Sequence, residues 1–379
     1  MPKKKLVIAI MSSLLAITGI SFFVTDRDAS DLEYRKLKQF PEFDLRSSLD
    51  GSFFDTLETY MLDRLVVRDE ILQTSSKIDK YMMKSIRKNH YISSSGYILE
   101  FEDYRNSDYE SMVTAIDVPL TNLNKLKRTV DNESGQLYFI DIPQKHDFHQ
   151  EIFPDFFSVN ASNTLSYNKM LRTEAQNNGI TVISGIDVFS ENDLSEPYYK
   201  TDNHYNAEAA LSIYDTMLSK MQDIHPIHRD RNTYEKIEYI SPFIGNNART
   251  MADTSYSKGE VFYYMKPKNT LPSYKRYENG KLSDLPIMRP DENISLYGNF
   301  MDGDKENTII DTDRPDLPNI LFIGDSFTNA LEYLAIYDFN QVHSLDLRSY
   351  KDDIHHYIQN QDIDVVVFVR NTQLNLLDH

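Results

Sequence analysis

Ser326 is a candidate nucleophile because of what precedes and follows it. In NILFIGDSFTNAL, residues 319–331, an apolar run typical of a strand leads into the serine, and a run typical of a helix follows. Ligands of parallel α/β sheets bind beyond the carboxyl ends of the strands. The N-terminal amides of the following helix can also stabilise an oxyanion on an acyl carbon that the serine attacks. The letters GDS alone equally suit an ordinary turn at a helix start.

Asp202 and His204 supply the other groups that a reactive serine needs. A serine hydroxyl requires a base, normally a histidine, and an acid must fix the tautomer of that histidine. The two residues lie in YYKTDNHYNAEAA, residues 198–210, just before a predicted helix that Asn206 caps. In an extended segment, positions i and i+2 point to the same side, so the Asp202 carboxylate can reach the imidazole.

The sequence does not favour a metal site. It contains no cysteine, which excludes disulfides, thiolate metal sites and cysteine nucleophiles. His146 and His149 are three residues apart in QKHDFHQ, but no further histidine or carboxylate pair completes a convincing zinc site. We therefore predict neither a metal nor a bound cofactor.

Five short apolar runs predict the strands of a parallel sheet in an α/β fold. Strands that are apolar on both faces and separated by helices indicate a sheet covered on two sides. The runs are QLYFIDI (136–142), ITVISGI (180–186), NILFIGD (319–325), VHSLDL (342–347) and DIDVVVFV (362–369). Helical stretches lie between several of them, near 165–178, 206–222, 328–336 and 350–360.

We expect three parts along the chain. Residues 1–25 are a membrane anchor or signal sequence, residues 26–95 a helical segment, and residues 96–379 an α/β domain. Within that domain, a polar, tyrosine-rich insertion at about 225–305 predicts loops and a few short strands, and insertions of that size commonly build a substrate groove. Residues 6–24 are nineteen positions without a charge after three lysines, which is long enough to cross a bilayer. We favour an uncleaved anchor with the rest of the chain outside the cytoplasm.

The net charge of the chain limits the classes of ligand that it can bind. The formal net charge of −18 disfavours nucleic acid and polyanionic polymers, because the sequence contains no evident cluster of basic residues. A neutral ligand fits this composition better.

Five segments, in order along the chain, resemble those of a known family. TDNHY at 201–205 and GDSF at 324–327 resemble the motifs of the DHHW-motif proteins and of the AlgJ/AlgX-like alginate O-acetyltransferases, within the SGNH hydrolase superfamily. Three more segments are similar to the E-x-R, F-P and D-R-x-x-x-R motifs, the P-x-K segment and the D-L-R-Y segment of that family; they are residues 32–71, 142–154 and 342–350.

The resemblance implies an SGNH-like sheet in which the acid and the base precede the nucleophile along the chain. It implies that Asp202 orients His204, and that His204 deprotonates Ser326. Asn203 stands where the family often has its first histidine, and Tyr205 stands where it often has tryptophan. Neither departure removes the acid or the base, but Tyr205 leaves open what supports them.

Further candidates surround these three residues. Gly245, Asn246 and Asn247 of FIGNN are candidates for an oxyanion-hole loop, because glycine exposes a backbone N–H and asparagine offers a side-chain donor. Arg348 and Arg370 lie in or next to family-like segments and are candidates to orient a ligand. Each arginine can equally pair with a carboxylate at a strand end.

The function that this resemblance implies is a membrane-anchored, extracytoplasmic O-acetyltransferase that modifies hydroxyls of a cell-surface or secreted polysaccharide. By analogy with the family, an MBOAT-type membrane acyltransferase would supply the acetyl groups, since acetyl-CoA is absent outside the cell. Two alternatives stay open from sequence. One is an acetyl esterase of the same fold, and the other is a non-catalytic glycan-binding or scaffold protein of an export complex.

Overall fold

The structure is a computed structural model. It describes residues 4–9, 11–13, 16, 19, 27–30, 32–33, 35–65, 67–100, 116–152, 155–221, 233–253 and 260–371, without the side chains of 155–163. The chain divides into two compact units, of which the first comprises Met1–Lys88 and Ala248–Tyr256 and the second Asn89–Asn247 and Ser257–His379. From the sequence we predicted that the α/β domain starts at residue 96, and the second unit starts at Asn89. That residues 248–256 belong to the first unit was not predicted.

The first unit contains short strands and a run of helices. Strands β1 (Ala29–Ser30) and β2 (Arg35–Lys36) pair antiparallel. Asp44 caps the first helix by accepting from the Ser47 N–H, and Gly51, with φ 90°, ends it in the left-handed conformation that glycine favours. The other elements are helices α1 (Leu45–Asp50), α2 (Ser52–Asp63) and α3 (Arg68–Tyr81), and strand β3 (Ile86–Arg87).

The E-x-R and D-R-x-x-x-R motifs meet in an ion-pair network within the first unit. The Arg35 guanidinium donates to both oxygens of Asp63, at 2.9 and 2.6 Å. Arg68 lies 2.6 Å from a Glu33 oxygen and 3.5 Å from an Asp63 oxygen. Burial disfavours the charge of Asp63, but the hydrogen bonds from Arg35 and the Lys38 amide bring the pKa of Asp63 below its ordinary value. These motif residues therefore have a structural role in this unit.

The remaining elements include a large mixed sheet with helices. They are β4 (His90–Ile92), β5 (Ile98–Glu100), α4 (Asp117–Asn132), β6 (Gln136–Asp141), α5 (Lys145–Phe148), α6 (Asp155–Asn177), β7 (Thr181–Ser184), α7 (Gly185–Glu191), α8 (Ala207–Lys220), β8 (Tyr234–Pro242), α9 (Asn246–Thr250), β9 (Val261–Pro267), β10 (Lys275–Glu278), β11 (Lys281–Ser283), β12 (Asn307–Asp311), β13 (Asn319–Gly324), α10 (Asn329–Ala335), β14 (Gln341–Asp346), α11 (Ile354–Asn360) and β15 (Val365–Arg370), with 3₁₀ turns at Gln150–Ile152 and Tyr297–Asn299.

Eight of these strands form one sheet in the order β11-β10-β12-β14-β13-β15-β6-β7. Strands β14, β13, β15, β6 and β7 run parallel. Strands β12, β10 and β11 add an antiparallel edge. The predicted α/β fold with a parallel central sheet is confirmed, whereas the antiparallel edge was not predicted.

Alternate side chains of the central strands contact opposite layers of helices. In β13, Ile320 and Phe322 belong to one buried apolar cluster, and Leu321 and Ile323 belong to the other. The first cluster includes residues of α7, α8 and α10, and the second includes residues of α4, α6 and α11. Each such aliphatic side chain stabilises the fold by roughly 1.5–3 kcal/mol. Because these strands are buried on both faces, their sequences are continuous apolar runs.

The predicted insertion at about 225–305 holds more regular structure than the sequence indicated. Strands β8 and β9 pair antiparallel, and β8 is 9 residues long. Strands β10 and β11 form the antiparallel edge of the main sheet. Residues 225–232 and 254–259 of the insertion lie outside the described residues.

The predicted anchor falls on a segment that the structure describes only in part. Residues 10, 14, 15, 17, 18 and 20–24 lie outside the described residues. Within the part of the chain that is described, the helices are all too short or too polar to span a membrane.

Candidate active site

Ser326 lies at the carboxyl edge of the parallel strands, in the turn between β13 and α10. The Asp325 carboxylate accepts from the Phe327 N–H at 3.0 Å, and the Asp325 carbonyl accepts from the Thr328 N–H at 2.9 Å. Gly324 ends the strand where a Cβ would lie 2.8 Å from the Val369 carbonyl oxygen, so only glycine fits there. The turn therefore holds Ser326 at the edge where ligands of such sheets bind.

The structure brings Ser326, His204 and Asp202 together in one hydrogen-bonded chain. His204 Nε2 lies 2.7 Å from Ser326 Oγ, and His204 Nδ1 lies 2.5 Å from Asp202 Oδ1. Asp202 is 1% exposed and His204 is 7% exposed. Because the carboxylate can only accept from Nδ1–H, it assigns the proton to Nδ1 and leaves Nε2 free to accept from the serine hydroxyl.

Hydrogen bonds keep the Asp202 carboxylate charged in spite of its burial. Burial disfavours the charge, but the attraction of His204 and the hydrogen bonds from His204 and Asn246 hold the pKa of Asp202 well below its ordinary value. The His204 N–H donates to Oδ1 at 3.0 Å, and the Asn246 N–H donates to Oδ2 at 2.6 Å. A charged Asp202 can stabilise an imidazolium if His204 takes a proton.

A hairpin ahead of α8 carries the candidate acid and the candidate base. The Asn206 N–H donates to the Pro197 carbonyl at 2.8 Å, and Asn206 caps α8 by accepting from the Ala209 N–H at 3.0 Å. The Tyr205 hydroxyl donates to the Phe327 carbonyl, so the hairpin is tied directly to the turn that holds the serine. Tyr205 therefore takes a positioning role at the place where the resembling family often has tryptophan.

The backbone N–H groups of Gly245 and Asn246 bond the segment that holds Asp202, so these two N–H groups do not take the oxyanion-hole role that we expected. The Gly245 N–H donates to the Thr201 hydroxyl at 3.2 Å, and the Asn246 N–H is engaged with the Asp202 carboxylate. A Cβ on Gly245 would lie 2.2 Å from the Thr201 carbonyl carbon. Glycine is thus required at position 245, because two backbone segments approach closely there. The backbone N–H groups of Gly245 and Asn246 both already have acceptors.

We expect Gly245→Ala to destabilise the protein and to displace the hairpin, because backbone atoms cannot yield to the new methyl group. The expected cost is roughly 1–3 kcal/mol or more in the free energy of unfolding, measured by chemical denaturation. Gly298→Ala is the matched control, since its new Cβ would have no neighbour closer than 3.6 Å. Equal stability of the two variants would contradict the close packing at Gly245.

A cavity of about 200 Å³ opens beside Ser326, and mostly polar side chains line it. Asn247, 1% exposed, donates from Nδ2 to the Ile98 carbonyl at 3.1 Å, which fixes the orientation of its amide. The Oδ1 atoms of Asn247 and Asn203 are buried and have no hydrogen-bond partner among the described residues. The cavity is lined by Glu100, Gln144, Lys145, His146, Asn203, Asn247, Asp325, Ser326, Phe327, Arg348 and Asn371.

The two arginine candidates have different surroundings. Arg348 lines the cavity, and its Nη2 donates to Asp346 at 2.6 Å and to Asp304 at 2.5 Å. Arg370 is 3% exposed, donates to Asp141 at 3.1 Å, and is not among the described residues that line the cavity. Both arginines therefore pair with carboxylates at strand ends, which was the alternative interpretation from the sequence. Of the two, Arg348 also lines the cavity.

Sequence reasoning missed three residues that support the site. The Tyr297 ring stacks on the His204 ring, with centroids 3.8 Å apart and planes 3° apart. The Lys145 ammonium group donates to the Asp202 carbonyl, and the Glu260 carboxylate accepts from the Thr201 N–H. The P-x-K resemblance pointed at Lys145 without giving it a role, whereas Glu260 and Tyr297 lie in the insertion, outside any motif.

The site has no evident metal centre. No group of three or more His, Asp or Glu side chains among the described residues could hold a metal ion. Burial lowers the pKa of His146 to about 4, and its ring lies 3.4 Å from an Asp147 oxygen. His146 is therefore a neutral residue of the cavity wall.

Comparisons with known proteins bear on the fold. No family model matches the sequence, and no curated protein matches it closely enough to count as a relative. PatB1 from Bacillus cereus, solved with a sulfonyl adduct, matches with a TM-score of 0.60 and 19% identity over 75% of this chain and 93% of that chain. A DHHW family protein from Eubacterium siraeum matches with a TM-score of 0.58 and 16% identity over 78% of this chain and 97% of that chain. The chain therefore has the fold of a DHHW family protein, as its sequence motifs implied.

Proposed function

We propose that this protein is an O-acetyltransferase that moves an acetyl group through Ser326 to a hydroxyl of a cell-surface or secreted polysaccharide. The observation that carries this proposal is the hydrogen-bonded chain from Ser326 Oγ through His204 to Asp202, at 2.7 and 2.5 Å. The same arrangement generates an activated serine in unrelated folds. The likeness in fold to PatB1 and to a DHHW family protein supports the proposal.

The reaction would proceed through an ester on Ser326. His204 Nε2 takes the proton of the serine hydroxyl while Oγ attacks the acetyl carbonyl carbon, and the bond from that carbon to the donor oxygen breaks. The imidazolium then returns the proton to the departing donor. In the second half, His204 takes the proton of a sugar hydroxyl, the sugar oxygen attacks the acetyl carbon, and Ser326 leaves as a hydroxyl after receiving that proton.

The polar cavity favours an acceptor that carries hydroxyl groups. The Oδ1 atoms of Asn203 and Asn247 are hydrogen-bond acceptors that are buried without a partner among the described residues. A buried acceptor that stays unpaired costs roughly 1–3 kcal/mol. Hydroxyls of a bound sugar would satisfy both oxygens, so this pair of amides favours a carbohydrate over an apolar ester as the occupant.

The cellular setting of the enzyme remains a prediction from the sequence. The lysine-flanked apolar segment 6–24 suggests an anchor in the cell membrane with the catalytic domain outside the cytoplasm. An MBOAT-type membrane acyltransferase would then supply the acetyl group, because acetyl-CoA is not present there. The net charge of −18 favours a neutral polysaccharide as acceptor.

Product analysis tests the proposal. The protein would be incubated with 4-nitrophenyl acetate and a panel of neutral oligosaccharides, and mass spectrometry would measure acetylated oligosaccharide against free acetate. We expect acetylated sugar that depends on Ser326. Free acetate alone would favour the esterase of the same fold, and the absence of turnover with every acceptor would favour the scaffold.

A further inference from the structure

The backbone that carries Asp202 is held by a buried lysine. Lys145 Nζ donates to the carbonyl oxygens of Tyr199 and Lys200, both at 3.1 Å, and also to the carbonyl oxygen of Asp202. Lys145 is 5% exposed, so water does not replace these acceptors. The three carbonyls match the three N–H bonds of one ammonium group.

A half-buried carboxylate accepts hydrogen bonds from the amide groups of the same segment. Glu260 accepts from the Lys200 N–H, from the Thr201 N–H at 3.0 Å and from the Thr201 hydroxyl at 2.6 Å. The carbonyl groups of this segment thus face a positive charge and its amide groups face a negative charge. Charged hydrogen-bond partners of this kind are about twice as strong as neutral ones.

We propose that Lys145 is a positioning residue for the acid and the base. Its ammonium group, together with the Glu260 carboxylate, fixes the backbone at Asp202, and Asp202 in turn orients His204. This inference rests on the proposed function, because its consequence is the reactivity of Ser326. Lys145 also lines the cavity beside Ser326, but its ammonium group donates to the carbonyls of the supporting peptide, so we assign it a positioning role rather than a catalytic one.

The charge of Lys145 makes this positioning sensitive to pH. Burial lowers the pKa of Lys145 to about 8, while the negative charges of Glu260, Asp202 and Glu100 oppose that fall. A neutral amine has two N–H bonds and cannot donate to three carbonyls. The three bonds are therefore complete below a pH of about 8, and one of them is lost as the pH rises above it.

The neighbours of Lys145 on α5 titrate below that range. Burial lowers the pKa of His146 to about 4 and raises the pKa of Asp147 to about 7. His146 is neutral throughout the range of interest. Asp147 gains its charge before Lys145 loses its own, so neither group accounts for a loss of positioning above a pH of about 8.

The test is the rate at which phenylmethylsulfonyl fluoride modifies Ser326, measured against pH. In the wild type we expect this rate to fall as the pH rises above about 8. Lys145→Met keeps the length of the side chain but has no N–H, and we expect it to react about 100-fold more slowly below that pH, with no alkaline decline. Lys281→Met, on the exposed edge strand β11, is the control and should behave as the wild type.

A second variant keeps the inference testable if Lys145→Met does not fold. Glu260→Gln removes the negative charge that most favours the Lys145 ammonium, so the alkaline decline should move to lower pH. Where Lys145→Met does fold, its effect on the rate of Ser326 modification and that of Glu260→Gln should be less than additive in the double variant, because both residues hold one segment. An unmoved decline, or strictly additive effects in folded variants, would overturn the inference.

The two possible failures are distinguishable. A wild type that does not react at Ser326 at any pH would overturn the proposed function, and this inference with it. A wild type that reacts at Ser326 with the same rate and pH profile as folded Lys145→Met would overturn only the role of Lys145. Circular dichroism and thermal unfolding identify the folded variants.

Discussion

Ser326→Ala should lose acetyl transfer by a factor on the order of 10⁶ in kcat while the fold is retained. The side-chain oxygen is the atom that would carry the acetyl group, and its hydrogen bond is to the His204 ring rather than to the core. Turnover of 4-nitrophenyl acetate measures the loss. Ser190→Ala, at an exposed position of α7, is the matched control and should keep wild-type turnover.

Retained transfer in Ser326→Ala would require a different nucleophile or none. Unchanged acetylation in cells, together with ester turnover that stays at background in both the wild type and the variant, would support the non-catalytic scaffold. Thermal unfolding of the variant separates loss of chemistry from loss of structure, since we expect the melting temperature to stay close to that of the wild type.

Asp202→Asn should lower kcat by roughly 10⁴-fold. The carboxylate accepts from His204 Nδ1, from the His204 amide and from the Asn246 amide, at 2.5, 3.0 and 2.6 Å. An asparagine has one acceptor oxygen, so its NH₂ group must face one of these donors. If it faces the ring, the histidine shifts its proton to Nε2 and can no longer accept from Ser326.

The same substitution should also reduce stability in a way that depends on pH. Because the pKa of Asp202 is lower in the folded protein than its ordinary value, its stabilising charge is present above a pH of about 4 and is lost as the pH falls further. The difference in unfolding free energy between wild type and Asp202→Asn should therefore be largest near neutral pH and decrease as the pH falls below about 4. Asp187→Asn, at an exposed position of α7, is the control. A difference that does not change with pH would contradict a charged Asp202.

The three candidate catalytic residues were predictable because each belongs to a local pattern. Ser326 follows an apolar strand at the edge where ligands bind, and Asp202 and His204 are neighbours in a hairpin. The central sheet was predictable for a related reason, since strands buried on both faces lack polar positions. The short antiparallel strands at its edge are partly exposed, so β10 and β11 do not stand out from loops.

The residues that hold the backbone around the candidate site were not predictable, because their contacts are distant in sequence. Lys145 and Asp202 are 57 positions apart, and Thr201 and Glu260 are 59 apart. No short pattern links such pairs. Gly245 shows a related difficulty, since a glycine that exposes an N–H and a glycine that admits another backbone look the same in sequence.

The most direct measurement is the mass of the peptide that contains Ser326 after brief incubation with 4-nitrophenyl acetate, without acceptor, and an acid quench. We expect the wild-type peptide to gain one acetyl group at Ser326, and we expect His204→Ala to gain none. An acetyl group on another residue, or rapid turnover with an unmodified Ser326 peptide, would contradict the central claim that the reaction passes through this serine.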